Sequence, residues 1–306
     1  MSSKIPFIKM TGSGNDFILI DNRKGIIPPE KAPEFARKAC RHKLSVGADG
    51  LILIENDPEV DFSWRFFNAD GSEAEMCGNG SRCAARFAVL CGIVKGSSMV
   101  FRTGAGLIRA ELTADKRVKV QIPGVRELKL NLKLSLDGLD VLEKTFIPSA
   151  DKTARVINVH FANTGVPHVV VLCESREELD KVDVVKLGRF IRFHPDFAPR
   201  GTNVNFAWVK NEGEVFVRTY ERGVEDETLA CGTGSIASAV ISAALGKTLS
   251  PVSVHTRGGE VLRVFFSGES ESFSEVFLEG QAQVVYEGLL WDETLEGVLA
   301  GAYSVL

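Results

Sequence analysis

The chain has 306 residues, of which 44% are hydrophobic and 25% charged, the make-up of a globular protein with room for one large or two medium domains. A net charge of −4 gives no pull toward nucleic acid or an anionic membrane, and no run approaches the roughly 20 apolar residues of a membrane span. The first ten residues hold no apolar signal segment, so a cytoplasmic protein without a disulfide framework is expected.

Residues 5–10 and 18–20 predict strands around the polar loop Thr11-Gly12-Ser13-Gly14-Asn15-Asp16-Phe17. This loop opens a strand and lacks Gly-Lys-Ser/Thr, which excludes a phosphate-binding P-loop. A helix is predicted at 30–41, with prolines at 28, 29 and 33 marking its start. Strands follow at 51–55 and 62–67, then a polar loop to Cys77 and an Ala-rich helix from 81 to 90. Residues 99–102 and 107–112 predict a hairpin, and 118–122 another strand. Strict leucine alternation over 127–135 predicts a strand with one wet face. Residues 137–153 read as a loop or irregular strand connecting two halves.

The second half opens with strands at 156–161 and 169–172 around Asn163-Thr164-Gly165-Val166-Pro167-His168. A charged, helical stretch covers 174–193. Strands at 204–209 and 214–218 lead to Thr219-Tyr220-Glu221-Arg222-Gly223, and a second Ala-rich helix covers 235–245. Strands at 252–256, 261–266, 275–279 and 281–286 precede an apolar, mildly helical tail at 290–306. Short antiparallel connections predict an α+β fold of two β-rich halves, each wrapped around a central helix. The halves are expected at 1–125, with 282–306 returning to the first, and at 126–281.

Cys77-Gly78-Asn79-Gly80-Ser81 stands immediately before the first central helix, where unpaired N–H groups and partial positive charge gather. Such a place lowers a thiol's pKa and cradles an anionic group such as a carboxylate. A buried structural cysteine before a helix cap fits that stretch equally well. The second half tips the balance, because Cys231-Gly232-Thr233-Gly234-Ser235 repeats the pattern 154 positions after Cys77. Thr164-Gly165 echoes Thr11-Gly12, and Gly201 echoes Gly47, at offsets of 153 and 154. Three matches in step indicate an internal duplication that brings two helix-capped thiols to one cleft. Two equivalent thiols suit a symmetric reaction, in which one removes a proton from a carbon stereocentre while the other returns a proton to the opposite face. The helix N-termini would hold the substrate carboxylate as its charge grows. His168 alone among the histidines lies in a polar, loop-like setting; His42, His160, His194 and His255 lie in charged helical, loop or strand-like runs. The cysteine and histidine spacings form no zinc pattern, so neither a metal nor a cofactor is expected.

Gly12 to Phe17, Phe67 to Ser72, Met76 to Gly80, Pro167-His168, Thr202-Asn203, Tyr220 to Gly223 and Ala230 to Gly234 together resemble the diaminopimelate epimerase family, across about residues 5–288 and in the family's order. The resemblance implies two pseudo-symmetric halves with the active site in the cleft between them, and pyridoxal-independent interconversion of LL- and meso-diaminopimelate in lysine and peptidoglycan precursor biosynthesis. It makes Cys77 and Cys231 the acid/base pair, assisted by His168 and Glu221. It assigns Gly78, Asn79, Gly232 and Thr233 to the carboxylate at the reacting carbon. Arg222 takes the distal carboxylate, with Glu221, Asn15, Asn68 and Asn203 around the distal ammonium and carboxylate. Tyr286 matches a dimer-contact position, so a homodimer is implied. Val166 and Gly50 stand where some members carry Asn and Gln, and the tail beyond Trp291 has no placed counterpart. The alternatives are a racemase of another amino acid in the same superfamily, or a non-catalytic amino-acid-binding or redox-sensing protein. Asn79 and Arg222 argue against a proline-type racemase, and the matched cysteine pair argues against both the isomerase branch of the fold and the non-catalytic readings.

Overall fold

Two of the most apolar runs, Phe17 to Ile20 and Leu51 to Ile54, become strands buried on both faces in the computed structural model, which describes residues 4–122, 124–137, 139, 147–148, 150–151, 155–269, 272–295 and 297–299. They pair in parallel, Phe17 beside Gly50 through Asp21 beside Ile54, which is where fully apolar strands belong.

Contacts divide the chain into two units. The first comprises the described residues up to Val120 and those from Gly280 onward; the second comprises Gln121–Glu279. In the first, β1 (Lys4–Gly12), β2 (Asn15–Asp21), β3 (Gly50–Glu55), β4 (Phe62–Asn68), β5 (Glu73–Ala74), β6 (Ser98–Thr103), β7 (Gly106–Leu112) and β8 (Val118–Gln121) are joined by the last strand, β19 (Gln283–Trp291). The ladder runs β19-β1-β2-β3-β4-β6-β7-β8, with β2–β3 and β4–β6 parallel and the other pairs antiparallel. Helix α1 (Ala32–Ala39) shares a core with Ile18, Leu51, Leu53, Phe67 and Leu290. Helix α2 (Gly78–Leu90) packs on β1, β2 and β3 through Cys83, Ala84, Ala85, Phe87 and Ala88; its small side chains let the helix lie close to the strands.

The second unit contains β9 (Arg126–Ser135), β10 (Ala150–Asp151), β11 (Val156–Asn163), β12 (Pro167–Cys173), α3 (Arg176–Lys181), α4 (Val184–Arg192), β13 (Asn203–Asn211), β14 (Glu214–Glu221), β15 (Asp226–Thr228), α5 (Gly232–Ala244), β16 (Val252–His255), β17 (Val261–Glu269) and β18 (Ser272–Gly280). Its ladder runs β9-β11-β12-β13-β14-β16-β17-β18, with β12–β13 and β14–β16 parallel and the rest antiparallel. Strand for strand this repeats the first unit, with β9 in the place of β19 and α5 in the place of α2. The core is Leu134, Val159, Val169, Val171, Leu187, Ile191, Val204, Phe206 and Tyr220.

The duplication shows at single residues. Gly47 and Gly201 precede β3 and β13 at φ +73° and +63°, and a Cβ on Gly201 would meet the Arg192 backbone oxygen at 2.4 Å. Only glycine satisfies both demands. The Thr-Gly echo is not a structural equivalence. Thr11 and Gly12 lie within β1, which turns into β2 through Ser13 and Gly14, both at positive φ as a two-residue hairpin turn requires. Thr164 and Gly165 lie instead in a three-residue turn between Asn163 and Pro167. The stretch predicted helical at 174–193 is two helices, because Val182 is extended and the Asp183 carboxylate accepts from the Lys186 amide to cap a new start. The predicted strand at 281–286 runs on to Trp291, and a 3-10 turn follows at Asp292–Leu295. Much of the expected 137–153 connection, and residues 300–306 of the tail, lie outside the described residues.

Candidate functional site

Parallel pairing collects the polar residues of each unit at one end of its ladder. In the first, Asn15 starts β2, Gly50 starts β3, and Asn68 ends β4 opposite Gly50. In the second, His168 near the start of β12 pairs with Asn203 at the start of β13, and Glu221 ends β14.

Cys77 is the N-cap of α2, extended at φ −147°, ψ 117°, and its Sγ accepts from the Gly80 amide at 3.4 Å. Asn79 donates through Nδ2 to Asn15 Oδ1 at 2.7 Å and accepts at Oδ1 from Arg82 Nη2 at 2.8 Å. Arg82 is fully buried; it also donates to Ser13 Oγ and to the carbonyl oxygens of Gln281 and Gly78. Asn15 reaches Asp49 Oδ2 at 3.1 Å, and Asp16 and Asp49 exchange amide-to-carboxylate bonds across β2 and β3. Buried Lys9 pairs with Asp16 at 2.7 Å. Asn68 is exposed and donates to Ser72 Oγ at 3.0 Å.

Cys231 caps α5 at nearly the same backbone angles, φ −127°, ψ 113°, and is buried. Its Sγ lies 3.5 Å from Thr233 Oγ1, which lies 2.9 Å from His168 Nε2. His168 therefore meets a hydroxyl rather than its own unit's sulfur. Asn203 donates to the Pro167 carbonyl at 3.1 Å and accepts from the Arg222 amide at 2.8 Å, which holds the start of β12 against the end of β14. Arg222 Nη1 reaches the Arg200 carbonyl at 3.4 Å.

The helix caps were expected to lower the thiol pKa values, and the balance falls the other way. Burial raises Cys77, opposed by the Gly80 and Asn79 amides and then by Arg82. Burial pushes Cys231 up to about 11, with the Glu221 carboxylate adding to the rise and Thr233 opposing it. Desolvating a thiolate outweighs a few amide dipoles here. The same physics lowers His168 to about 3: burial comes first, then the Arg222 cation, so the imidazole is neutral at ordinary pH. Burial also raises Glu221 above the usual carboxylate range. A thiolate made costly in this way is a strong base once formed, which suits removal of a weakly acidic C–H proton. Among the described residues no group of three or more His, Cys, Asp or Glu is placed to hold a metal.

Two participants were missed from the sequence. Arg82 underlies Asn79, and Asn205 lies beneath His168. Asn205 had a signal, because it breaks the apolar run of β13 at a buried position, and a buried polar side chain in such a run needs partners. Arg82 lacked one, since an arginine in the first turns of an amphipathic helix reads as solvent-facing.

The family profile described as Diaminopimelate epimerase matches residues 7–126 and 160–285. The chain is 49% identical over 306 residues to the diaminopimelate epimerase of Aquifex aeolicus (strain VF5), covering 95% of this chain and 99% of the relative. It is 46% identical over 291 residues to that of Hydrogenobaculum sp. (strain Y04AAS1), covering 92% and 97%. Among solved structures, the Bacillus anthracis phenazine biosynthesis protein of the PhzF family superposes with a TM-score of 0.69 at 14% identity, covering 94% of this chain and 99% of that one. That likeness shows a shared fold and no more. With the family profile matched across both units and identity near one half along almost the whole length, the chain belongs to the diaminopimelate epimerase family.

Proposed function

We propose that this chain interconverts LL- and meso-diaminopimelate, with Cys77 and Cys231 as the two acid/base groups acting on one α-carbon. The observation that carries this reading is the repetition of one cap: a cysteine, extended, heading a 13-residue helix at the same point of two matching ladders. One thiolate takes the α-proton from one face, the other thiol delivers a proton to the opposite face, and the reverse reaction exchanges their roles. Backbone amides at Gly78-Asn79 and Gly232-Thr233 receive the α-carboxylate and stabilise the charge that builds on it. The planar fork of Arg222 takes the distal carboxylate, and Asn15, Asn68, Asn203 and Glu221 orient the distal end. Glu221 bears electrostatically on Cys231, and His168 reaches it through Thr233.

We place this activity in the cytoplasm, in lysine and peptidoglycan precursor biosynthesis, and assign the chain a homodimer. Val285, Tyr286, Leu289 and Trp291 of β19 are exposed apolar side chains on one strand, which supports a second copy docking there. Tyr286 packs edge-on against Phe7, 5.9 Å between ring centres.

The test is solvent-deuterium incorporation at the α-carbon of LL-diaminopimelate, in reductant and without pyridoxal phosphate, beside a panel of other amino acids. Exchange with inversion confined to diaminopimelate is expected. Exchange with another amino acid alone would keep the two-thiol chemistry and overturn the substrate. No exchange from folded, reduced protein would overturn both.

A further inference from the structure

Asn205 is fully buried in β13, beside its parallel neighbour β12. Its amide can be oriented without ambiguity. Nδ2 stands 2.9 Å from the Val169 carbonyl oxygen, and a carbonyl only accepts, so the group facing it is the NH2. Oδ1 then faces the Thr219 hydroxyl at 2.9 Å and accepts from it. The remaining NH2 proton points at His168 Nδ1, 3.1 Å away.

The consequence passes outward. A neutral imidazole carries one proton, and a Nδ1 that accepts leaves that proton on Nε2. Nε2–H donates to Thr233 Oγ1 at 2.9 Å. With one lone pair of Oγ1 so engaged, the hydroxyl keeps its own proton for the Cys231 Sγ at 3.5 Å.

We infer that Asn205 is a positioning residue: it fixes the tautomer of His168, and through Thr233 it aims a hydroxyl proton at the Cys231 sulfur. The donor stabilises the thiolate state of Cys231 against two opposing influences, burial and the nearby Glu221 carboxylate. Arg222, the other charged group close to this cluster, disfavours a protonated His168 and so keeps the relay neutral. The ring and the hydroxyl exchange no proton with Cys231; they supply a fixed dipole. Among the described residues the first unit has no such arrangement, because Ile52, which lies against Gly80 as Asn205 lies against Gly234, has no amide to offer.

The catalytic consequence rests on the proposed epimerase reading, whereas the relay can be tested without substrate. In protein carrying 15N-labelled histidine, the His168 ring is expected to show one proton, on Nε2, unchanged between about pH 5.5 and 8. A ring protonated on Nδ1, or one that titrates in that range, would overturn the inference. The second measurement is the rate of alkylation of Cys231 by iodoacetamide at a fixed pH near 8, located by mass spectrometry, with Cys77 as the internal reference. Thr233→Val is expected to slow Cys231 about tenfold, as loss of one donor to a charged acceptor would, and to leave Cys77 unchanged. Thr233→Ser keeps the hydroxyl and should retain the wild-type rate. Asn205→Asp, whose carboxylate draws the ring proton to Nδ1, should slow Cys231 comparably and lower kcat with KM held. An unchanged Cys231 rate in Thr233→Val or in folded Asn205→Asp would sink the relay. If Asn205→Asp does not fold, the wild-type ring and the Thr233 pair still decide the matter. Absence of diaminopimelate exchange in the wild-type protein would count against the function and leave these results standing.

Discussion

The cap of α2 and the cap of α5 share a backbone plan and differ in what lies beneath it. Under Cys77 sits a buried guanidinium, Arg82, tied to Asn79, Ser13 and two carbonyls. The corresponding place under Cys231 is Ile236, fully buried and apolar, and the polar contacts come from the strands instead, through His168 and Asn205. One cap is therefore supported by a cation and the other by a chain of neutral dipoles. Arg82 opposes the rise in the Cys77 pKa, whereas the Glu221 carboxylate adds to the rise of Cys231. Duplication copies the placement of a thiol; the side chains packed under it diverge and set its electrostatics.

The largest effect expected on this comparison erases one cap at a time. Cys77→Ala and Cys231→Ala should each lower kcat by about 10²–10⁴-fold with the far-ultraviolet dichroism of the fold retained. Full activity in either variant breaks the claim that the caps are partners in one reaction.

Next comes acid stability, which separates the two supports. His168 has a depressed folded pKa of about 3 against an ordinary 6.5. Its contribution is present above pH 6.5 and is lost as pH falls toward 3, because the unfolded chain binds the proton more readily. Denaturant titrations should show stability dropping by a few kcal/mol across that window, and His168→Gln should flatten the drop. At the other end of the scale, Cys231 is raised from 9.0 to about 11, so its contribution is full below pH 9 and disappears as pH rises through about 11. Cys231→Ala should shrink the alkaline limb without abolishing it, because burial also raises Cys40, Cys83 and Cys173 to about 12.

A matched pair of glycines sharpens the difference further. A Cβ on Gly234 would stand 2.2 Å from Asn205 Oδ1, while a Cβ on Gly80 would come no nearer than 3.2 Å to the Ile52 methyl and 3.4 Å to the Trp64 ring. Gly234→Ala should destabilise by about 1–3 kcal/mol, through overpacking against an amide that cannot move. Gly80→Ala should stay within about 1 kcal/mol, since the helical preference for alanine offsets the contact. Equal costs in urea unfolding would show that the relay is not rigid.

The smallest effect on stability belongs to Asn68, exposed and bonded only locally to Ser72. Asn68→Ala should change unfolding free energy by less than about 0.5 kcal/mol while raising KM about tenfold, as loss of one substrate hydrogen bond would. An unaltered KM would remove Asn68 from the distal site.

The caps and the ladder differ in how far they could be read in advance. Cys-Gly-x-Gly-Ser before an Ala-rich run is a local pattern, and local backbone preference makes a cap of it wherever the helix begins. The split of 174–193 into α3 and α4 was equally local, yet the Asp183 cap was masked by a charge pattern that suits one long helix. The Thr-Gly echo misled because a hairpin can gain one residue at its turn without disturbing the strands on either side. The thiol pKa direction was missed because a sequence displays the dipoles at a helix end but not the burial that outweighs them.

Most of the strands, the two central helices, the repeated cysteine caps and the family to which they point were legible along the chain, because each rests on spacing within a few residues or on an intact motif. What stands under each thiol was settled by folding. His168 and Asn205 are 37 residues apart, and His168 and Thr233 are 65 apart. They meet because β12 and β13 pair in parallel and α5 packs across them. That pairing is fixed by burying apolar faces, a sum over the whole core that no short stretch of sequence displays.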